Sequence, residues 1–410
     1  MDGSLLLFYK QLILFMSKRG IMIFNTTEYG YRFKNNSDEI EFFLDAEFFP
    51  ETTGYDSVYI SGSFNGWQAS ADAAWKLEKK VEKKRKIFSL VKEFSKINVP
   101  GNSGFPEFNF ILLAPEELVY LRNAEEGENG FCGNRVIVRS DEERDELLEI
   151  KRIACGKKSF SDFDLNCPSC RADLANLRFV PGTGCLLRGY HPYKKSFADS
   201  ALENERIANV RKAFGLYGIK SVITLSGYEL PSEFAGEDMP DFMTDIEKNE
   251  NRICLSLDYV LAYYHSDAAE FSNLLRKVSL FIINHPGPFY IHCRTGGDKT
   301  GVVCAVLAAL AGASWEQIAR DFEKTLFSAL DEYRSRRLLQ YSLQKIIGYS
   351  FTDSKNLARL MQSYFIKEKI LSAEEIKKVL EKLCSSPRKK ETDYFNFTEN
   401  HICAKRSAKI

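Results

Sequence analysis

The stretch PFYIHCRTGGDKTGVVCAVLAAL, residues 288–310, reads as a short apolar strand, a tight polar loop and a helix that is apolar all round. The strand PFYIH delivers Cys293 to the point where the helix begins. Unpaired backbone N–H groups and the positive end of the helix dipole converge there, and both favour a thiolate. The same geometry receives a phosphate. Gly296, Gly297 and Gly301 let the backbone fold its N–H groups inward around phosphoryl oxygens, while the sulfur faces phosphorus for in-line attack. The Thr300 hydroxyl can donate to the sulfur and make it a better leaving group. The competing reading is a buried cysteine in an ordinary strand-to-helix turn.

Working outward from the loop, strand-type and helix-type runs alternate: LLRGY (186–190), a helix near 200–217, KSVITLS (220–226), RICLSL (252–257), a helix near 266–284, then PFYIH (288–292). That alternation predicts βα units and a mainly parallel sheet flanked by helices, an α/β domain. After residue 300 apolar residues recur at helical spacing through about residue 384, and Pro387 closes the run. These C-terminal helices pack either on the α/β domain or on a partner. The last residues are polar and predict a disordered tail.

On the N-terminal side the texture changes. The runs EIEFFLDAEF (39–48), SVYISG (57–62), KIFSLVKEF (86–94), FPEFNFILL (105–113) and RVIV (135–138) alternate with period two and are punctuated by Gly, Pro and Asn. An immunoglobulin-like β-sandwich is the expectation. The basic cluster KLEKKVEKKRK (76–86) reads as a solvated hairpin. From about 139 to 180 the chain is charged and shows little apolar periodicity, which predicts a linker or small insert.

The chain has 410 residues, 44% hydrophobic and 27% charged, which predicts a folded protein of two or three domains. Lys plus Arg (56) balances Asp plus Glu (56), so no global field draws it to nucleic acid or anionic membrane. Ten scattered cysteines are too few for a disulfide scaffold and point to a reducing, cytoplasmic setting. Residues 1–16 are apolar but too short to span a bilayer, and Asp2 stands where a signal peptide carries positive charge. No secretion and no transmembrane segment are expected, and Met16 and Met22 are alternative starts.

The loop HCRTGGDKTG resembles that of the cysteine-dependent phosphatases, which reads His-Cys, five residues, Arg, then Ser or Thr. The likeness is to the Asp-containing loop of bacterial tyrosine and phosphoinositide phosphatases, and it extends through LLRGYHP, GIKSVITLSGYE and GASWEQIARDFEKT over residues 185–350. It implies Cys293 as nucleophile and Arg294, Thr295, Gly296, Gly297, Asp298 and Lys299 as the phosphate-binding set, with no cofactor for catalysis. It also implies a general acid near Asp258, with Asp267 as second candidate; Asp258 read without the resemblance is a helix N-cap. His292 is expected to support the loop from behind. Where the family has Arg, this chain has Lys299, which keeps the charge and loses the planar fork that grips two phosphoryl oxygens. Two functions stay open: a phosphatase of phosphotyrosine, phosphoinositide or phosphoglucan, slowed at position 299, or a pseudophosphatase that binds phosphate or glucan without efficient turnover.

The segments VYISGSFNGWQ (58–68), WKL (75–77), PEFNFIL (106–112) and GNRVIV (133–138) resemble the glycogen-binding β-sandwich of AMP-kinase β subunits and branching enzymes. That resemblance implies a carbohydrate site at Trp67, Asn109, Tyr120 and Asn134, with Trp67 as a core residue the alternative. The pairing of the two halves resembles the architecture of glucan phosphatases. Between them, Cys155, Cys167, Cys170 and Cys185 either hold a structural zinc or are unliganded thiols. The expected organisation is a sandwich over 38–140, a linker over 141–184, a phosphatase domain over 185–350 and a helical extension over 351–390.

Overall fold

A computed structural model describes residues 30–34, 37–45, 54–55, 57–67, 72–82, 85–113, 118–121, 130–131, 133–155, 163–196, 201–227, 239–328, 330, 333–351 and 356–385. The sequence readings of the N-terminal 16 residues, of Pro387 and of the polar tail fall outside these residues. The chain divides into two compact units: Met1–Val99 with Phe105–Leu147, and Pro100–Gly104 with Leu148–Ile410.

The first unit is built from two antiparallel sheets. One has the order β1 (Tyr31–Phe33), β2 (Glu39–Asp45), β5 (Arg85–Glu93), β4 (Glu78–Glu82); the other runs β3 (Ser57–Gly62), β6 (Glu107–Leu113), β9 (Asn134–Val136), β8 (Gly130–Phe131), with β7 (Leu118–Leu121) also on β6. Alternation decides which side chains are buried between them. Ile40, Phe42 and Leu44 of β2 meet Phe108, Phe110 and Leu112 of β6 in one core. Phe108 packs edge-on against Phe42 at 5.0 Å and Phe110 at 5.4 Å. The basic cluster forms the β4–β5 hairpin, with Val81 exposed.

The charged stretch expected to be a linker contains two helices, α1 (Asp141–Cys155) and α2 (Pro168–Leu174). α1 is amphipathic on a stripe only one residue wide, with Leu147, Ile150 and Ala154 buried. A stripe that narrow among so many charges leaves little periodicity to read.

The second unit has a sheet in the order β10 (Arg178–Phe179), β11 (Leu186–Gly189), β14 (Phe289–His292), β12 (Ser221–Thr224), β13 (Arg252–Cys254). β10 runs antiparallel to β11 and the other pairs are parallel. The central strand β14 pairs Gly189 and Thr224 with His292, so three strands end at the same level. All four of its residues are buried, as expected of a strand covered on both faces. The helices are α3 (Ala201–Tyr217), α4 (Asp241–Lys248), α5 (Tyr259–Tyr263), α6 (Ala269–Asn284), α7 (Asp298–Leu310), α8 (Trp315–Glu323), α9 (Arg336–Ile347), α10 (Leu357–Lys367) and α11 (Ala373–Leu383).

Every residue of α7 from Thr300 to Leu310 is buried, which is the fate of a helix without a polar face. Gly301 allows Phe322 of α8 to lie close, since a Cβ there would stand 2.9 Å from its ring. α10 packs on α7 and α11 on α6, so the C-terminal helices close this unit itself. Gly184 N donates to Leu383 O at 2.8 Å and the Cys185 thiol to Lys382 O at 2.7 Å, which ties the end of α11 to the edge of the sheet. No helix among the described residues is long and apolar enough to cross a membrane.

Candidate active site

Cys293 follows β14 at the carboxyl edge of the parallel strands, where open α/β sheets place their ligands. It is buried, and α7 opens five residues later at Asp298. The carbonyl groups of the loop are held from outside it. Leu225 N donates to His292 O at 2.8 Å, His191 N to Arg294 O at 3.1 Å, and Asn176 Nδ2 to Thr295 O at 3.0 Å. Arg188 Nη2 donates to Gly296 O at 2.7 Å and reaches Gly297 O at 3.4 Å. In a trans peptide the N–H points opposite to the C=O, so tying these carbonyls outward turns the amide groups toward a common interior. That is the arrangement of an oxyanion nest.

Gly296 is the position where only glycine fits. Its φ is +78°, and a Cβ would lie 2.2 Å from Gly189 O. His292 is buried, with Nε2 3.0 Å from Thr224 Oγ1 and Nδ1 2.9 Å from Cys293 O. Nδ1 therefore donates to the carbonyl, and Nε2 accepts from the threonine. The imidazole thus bridges Thr224 and the Cys293 carbonyl.

Behind the loop lies a buried network that the sequence did not announce. Asp321 of α8 accepts from Arg188 Nη1 at 2.6 Å and from Arg178 Nε at 2.7 Å. Burial pushes the Asp321 carboxyl up, but the charges of Arg178 and Arg188 outweigh it and hold the group below its ordinary value. Burial, with repulsion from Arg188, lowers Arg178 to about 10. Arg178 also donates to the Asn176 backbone carbonyl at 3.0 Å, and thereby steadies the residue that holds Thr295. The available signals were a lone arginine within the apolar strand LLRG and an aspartate beside Phe322 on the buried face of α8.

The expected site residues fall out as follows. Arg294 is exposed at the rim, its Nη2 donating to Ser196 O at 2.7 Å. Lys299 is half-buried in the first turn of α7 and makes no ion pair among the described residues. Thr300 is buried, and its Oγ1 has no hydrogen-bond partner among them. Thr295 Oγ1 accepts weakly from Gly297 N at 3.4 Å. Asp298 is held by Tyr263 and Arg334. Cys304, the other thiol of this region, is pushed up to about 12 by burial and is an inert core group.

Asp258 caps α5, its Oδ1 accepting from Leu261 N at 2.7 Å, and the residue is exposed. Leu257 N bonds Leu225 O at 3.3 Å, and Leu225 N bonds His292 O, so Asp258 stands on the same sheet edge as Cys293. Asp267 is paired with Lys345 at 3.2 Å.

In the first unit, the side-chain amides of Asn109 and Asn134 meet at 2.6 Å. Asn109 is buried, Asn134 half-buried and Tyr120 exposed. The cross-strand pairs Ser61 with Asn109 and Ile111 with Tyr120 put Asn109 and Tyr120 on one sheet face, opposite the Phe108–Phe110 core. Trp67 is half-buried in the turn after β3 at φ 60°, and the tryptophan packed on the core is Trp75.

Among the described residues no three His, Cys, Asp or Glu side chains gather as metal ligands. Burial pushes the Cys185 thiol up, and its Sγ donates to Lys382 O at 2.7 Å. Cys170 packs with Phe163 and Leu174, Cys167 Sγ meets Ser169 Oγ at 3.1 Å, and the Cys155 side chain lies outside the described residues.

Residues 234–384 match the tyrosine phosphatase family, so a domain of that family occupies this part of the chain. Among solved structures, the core catalytic domain of the PP-IP phosphatase SIW14 from S. cerevisiae, in complex with citrate, is 18% identical with a TM-score of 0.26 and covers 48% of this chain and 94% of its own. A second structure of the Siw14 catalytic core is 15% identical, with the same TM-score of 0.26 and the same coverage of 48% and 94%. No curated protein matches the chain.

The network behind the loop predicts the behaviour of Asp321→Asn. Removing this carboxylate leaves two buried guanidinium groups without their anion, and denaturant titration should show a loss of about 3–5 kcal/mol at neutral pH. Because the folded-state value is depressed, the Asp321 contribution is present above the ordinary carboxyl value near 3.8 and is lost as pH falls through the lower folded value. The variant's stability should therefore fall less steeply than wild type's on acidification; parallel curves would place the pH dependence elsewhere.

Proposed function

We propose that this chain is a cysteine-dependent phosphatase that hydrolyses phosphomonoesters through a phosphocysteine at Cys293. The observation that carries the reading is the loop from His292 to Gly297, whose carbonyls are tied outward from separate segments while the buried thiol stands between the central strand and a buried helix. The Cys293 thiolate attacks phosphorus, a sulfur–phosphorus bond forms, and the ester oxygen leaves with the bonding pair. Asp258 gives that oxygen its proton. A water then attacks the phosphocysteine, Asp258 takes the water's proton, and the sulfur departs as thiolate with a hydrogen bond from Thr300. Lys299 and the inward amide groups balance charge on the phosphoryl oxygens throughout.

The exposed Arg294 at the rim favours substrates with further negative charge beside the scissile phosphate, among them phosphoinositides, phosphotyrosine proteins and phosphoglucans. The first unit adds a glucan-binding surface built on Tyr120 and Trp67, with Asn134 as the amide that meets a hydroxyl and Asn109 as its buried support. The second reading, a phosphate-binding adaptor with little turnover, is favoured by one observation: Lys299 stands where the family's loop has Arg.

Hydrolysis of an aryl phosphate under reducing conditions tests the reading. Cys293→Ser should abolish turnover, and Lys299→Arg should raise it about 10²- to 10³-fold. Wild type equal to Cys293→Ser, with activity gained on Lys299→Arg, would establish the adaptor instead. Asp258→Asn should slow alkyl phosphates, which have poor leaving groups, by about 10²-fold or more and affect aryl phosphates less. Equal effects on both would remove Asp258 from proton transfer. Retention on amylose resin should drop at least about tenfold for Trp67→Ala and Tyr120→Ala. Wild-type protein that flows through unretained would leave the sandwich without this role.

A further inference from the structure

The loop carries its own negative charge. Asp298 opens α7, and its carboxylate belongs to the segment whose amide groups would receive a phosphate dianion. Three donors hold it: Tyr263 OH reaches Oδ1 at 2.9 Å, Arg334 Nε reaches Oδ1 at 2.8 Å, and Arg334 Nη2 reaches Oδ2 at 3.0 Å. The third guanidinium nitrogen, Nη1, donates to Tyr333 O at 2.8 Å, which fixes the plane of the fork. The guanidinium also lies 5.7 Å from the centre of the Tyr259 ring. The two side chains are 20% and 18% exposed, so their attraction is only partly screened by water.

Charge balance shows why this pairing matters. A loop that has formed the Cys293 thiolate holds two anions, Cys293 and Asp298, against two cations, Arg294 and Lys299, and Arg294 is turned outward to Ser196. A phosphate approaching such a loop would meet little net attraction beyond the backbone amide groups. We propose that Arg334 is a positioning residue that cancels the Asp298 carboxylate, so that a loop lacking the family's arginine still presents a net positive site to an oxyanion. This rests on reading the loop as a phosphate site. Arg334 comes from the segment leading into α9, well after the loop in sequence, and neither spacing nor motif marks it.

The test is equilibrium binding of tungstate, an inert oxyanion, to the full chain by titration calorimetry, with thermal melts as a check on folding. Arg334→Gln should weaken tungstate about tenfold or more, while Arg334→Lys, which keeps the charge, should stay within about threefold of wild type. Asp298→Asn in the Arg334→Gln background should restore binding to within about threefold, and Asp298→Asn alone should tighten it. The single Asp298→Asn variant keeps the inference testable if Arg334→Gln does not fold. Wild-type affinity in Arg334→Gln, failure of Asp298→Asn to rescue it, or no tightening in the Asp298→Asn single variant would overturn the role given to Arg334 while leaving the phosphate site in place. Absence of tungstate binding by wild type would overturn the phosphate-site reading and this inference with it.

Discussion

The contact on which the site depends is the double duty of one buried arginine. Arg188, in a strand beside β14, gives one nitrogen to Asp321 and another to the carbonyls of Gly296 and Gly297. The carboxylate makes a fully buried guanidinium affordable in the core, and the guanidinium in turn dictates which way two successive peptides face. Had those carbonyls pointed inward, the loop would present acceptors to an anion and repel it. The direction of a few peptide dipoles is thus set by an ion pair that lies behind the loop.

Around this contact the rest of the unit acts as a frame. The parallel register brings Gly189, Thr224 and His292 to one level, so the segments that follow them can exchange hydrogen bonds across the sheet edge. The stretch of α7 buried on every side, Thr300 to Leu310, fixes the height and tilt of the loop, because a helix so enclosed has little freedom to shift. α8 supplies Asp321 and Phe322 from its buried face, and Gly301 lets it approach. Lys299 stands half-buried in the first turn of α7, within this frame.

What the sequence made legible follows from how local each signal is. The strand, loop and helix around Cys293 are contiguous, so HCRTGGDKTG displays nearly all of its geometry in ten letters. The strands of the parallel sheet are short apolar runs and were readable for the same reason. Two-residue strands such as β8 and β10 have no period to detect, and α1 hides its stripe among charges. Asn176, Arg178, Arg188, Asp321 and Arg334 acquire meaning only when brought together. As letters they are a polar residue and an arginine in a stretch that reads as linker, arginines in runs that read as strand and as helix, and an acid on a helix. Asp258 shows the remaining ambiguity: the carboxylate that caps α5 stands on the same sheet edge as Cys293, and the letter alone does not separate a cap from an acid.

The groups that hold the loop come from far along the chain. Asn176 is 119 residues from Thr295, Arg188 is 108 from Gly296, and Arg188 is 133 from Asp321. Contacts of such separation form late, after the entropy of closing long loops has been overcome. The arrangement around Cys293 therefore depends on the sheet and α8 being docked together. An oxyanion that fills it binds the completed fold and not its intermediates. An oxyanion held in this small loop would therefore be coupled to the cohesion of the whole unit, as a clamp on segments it does not contact.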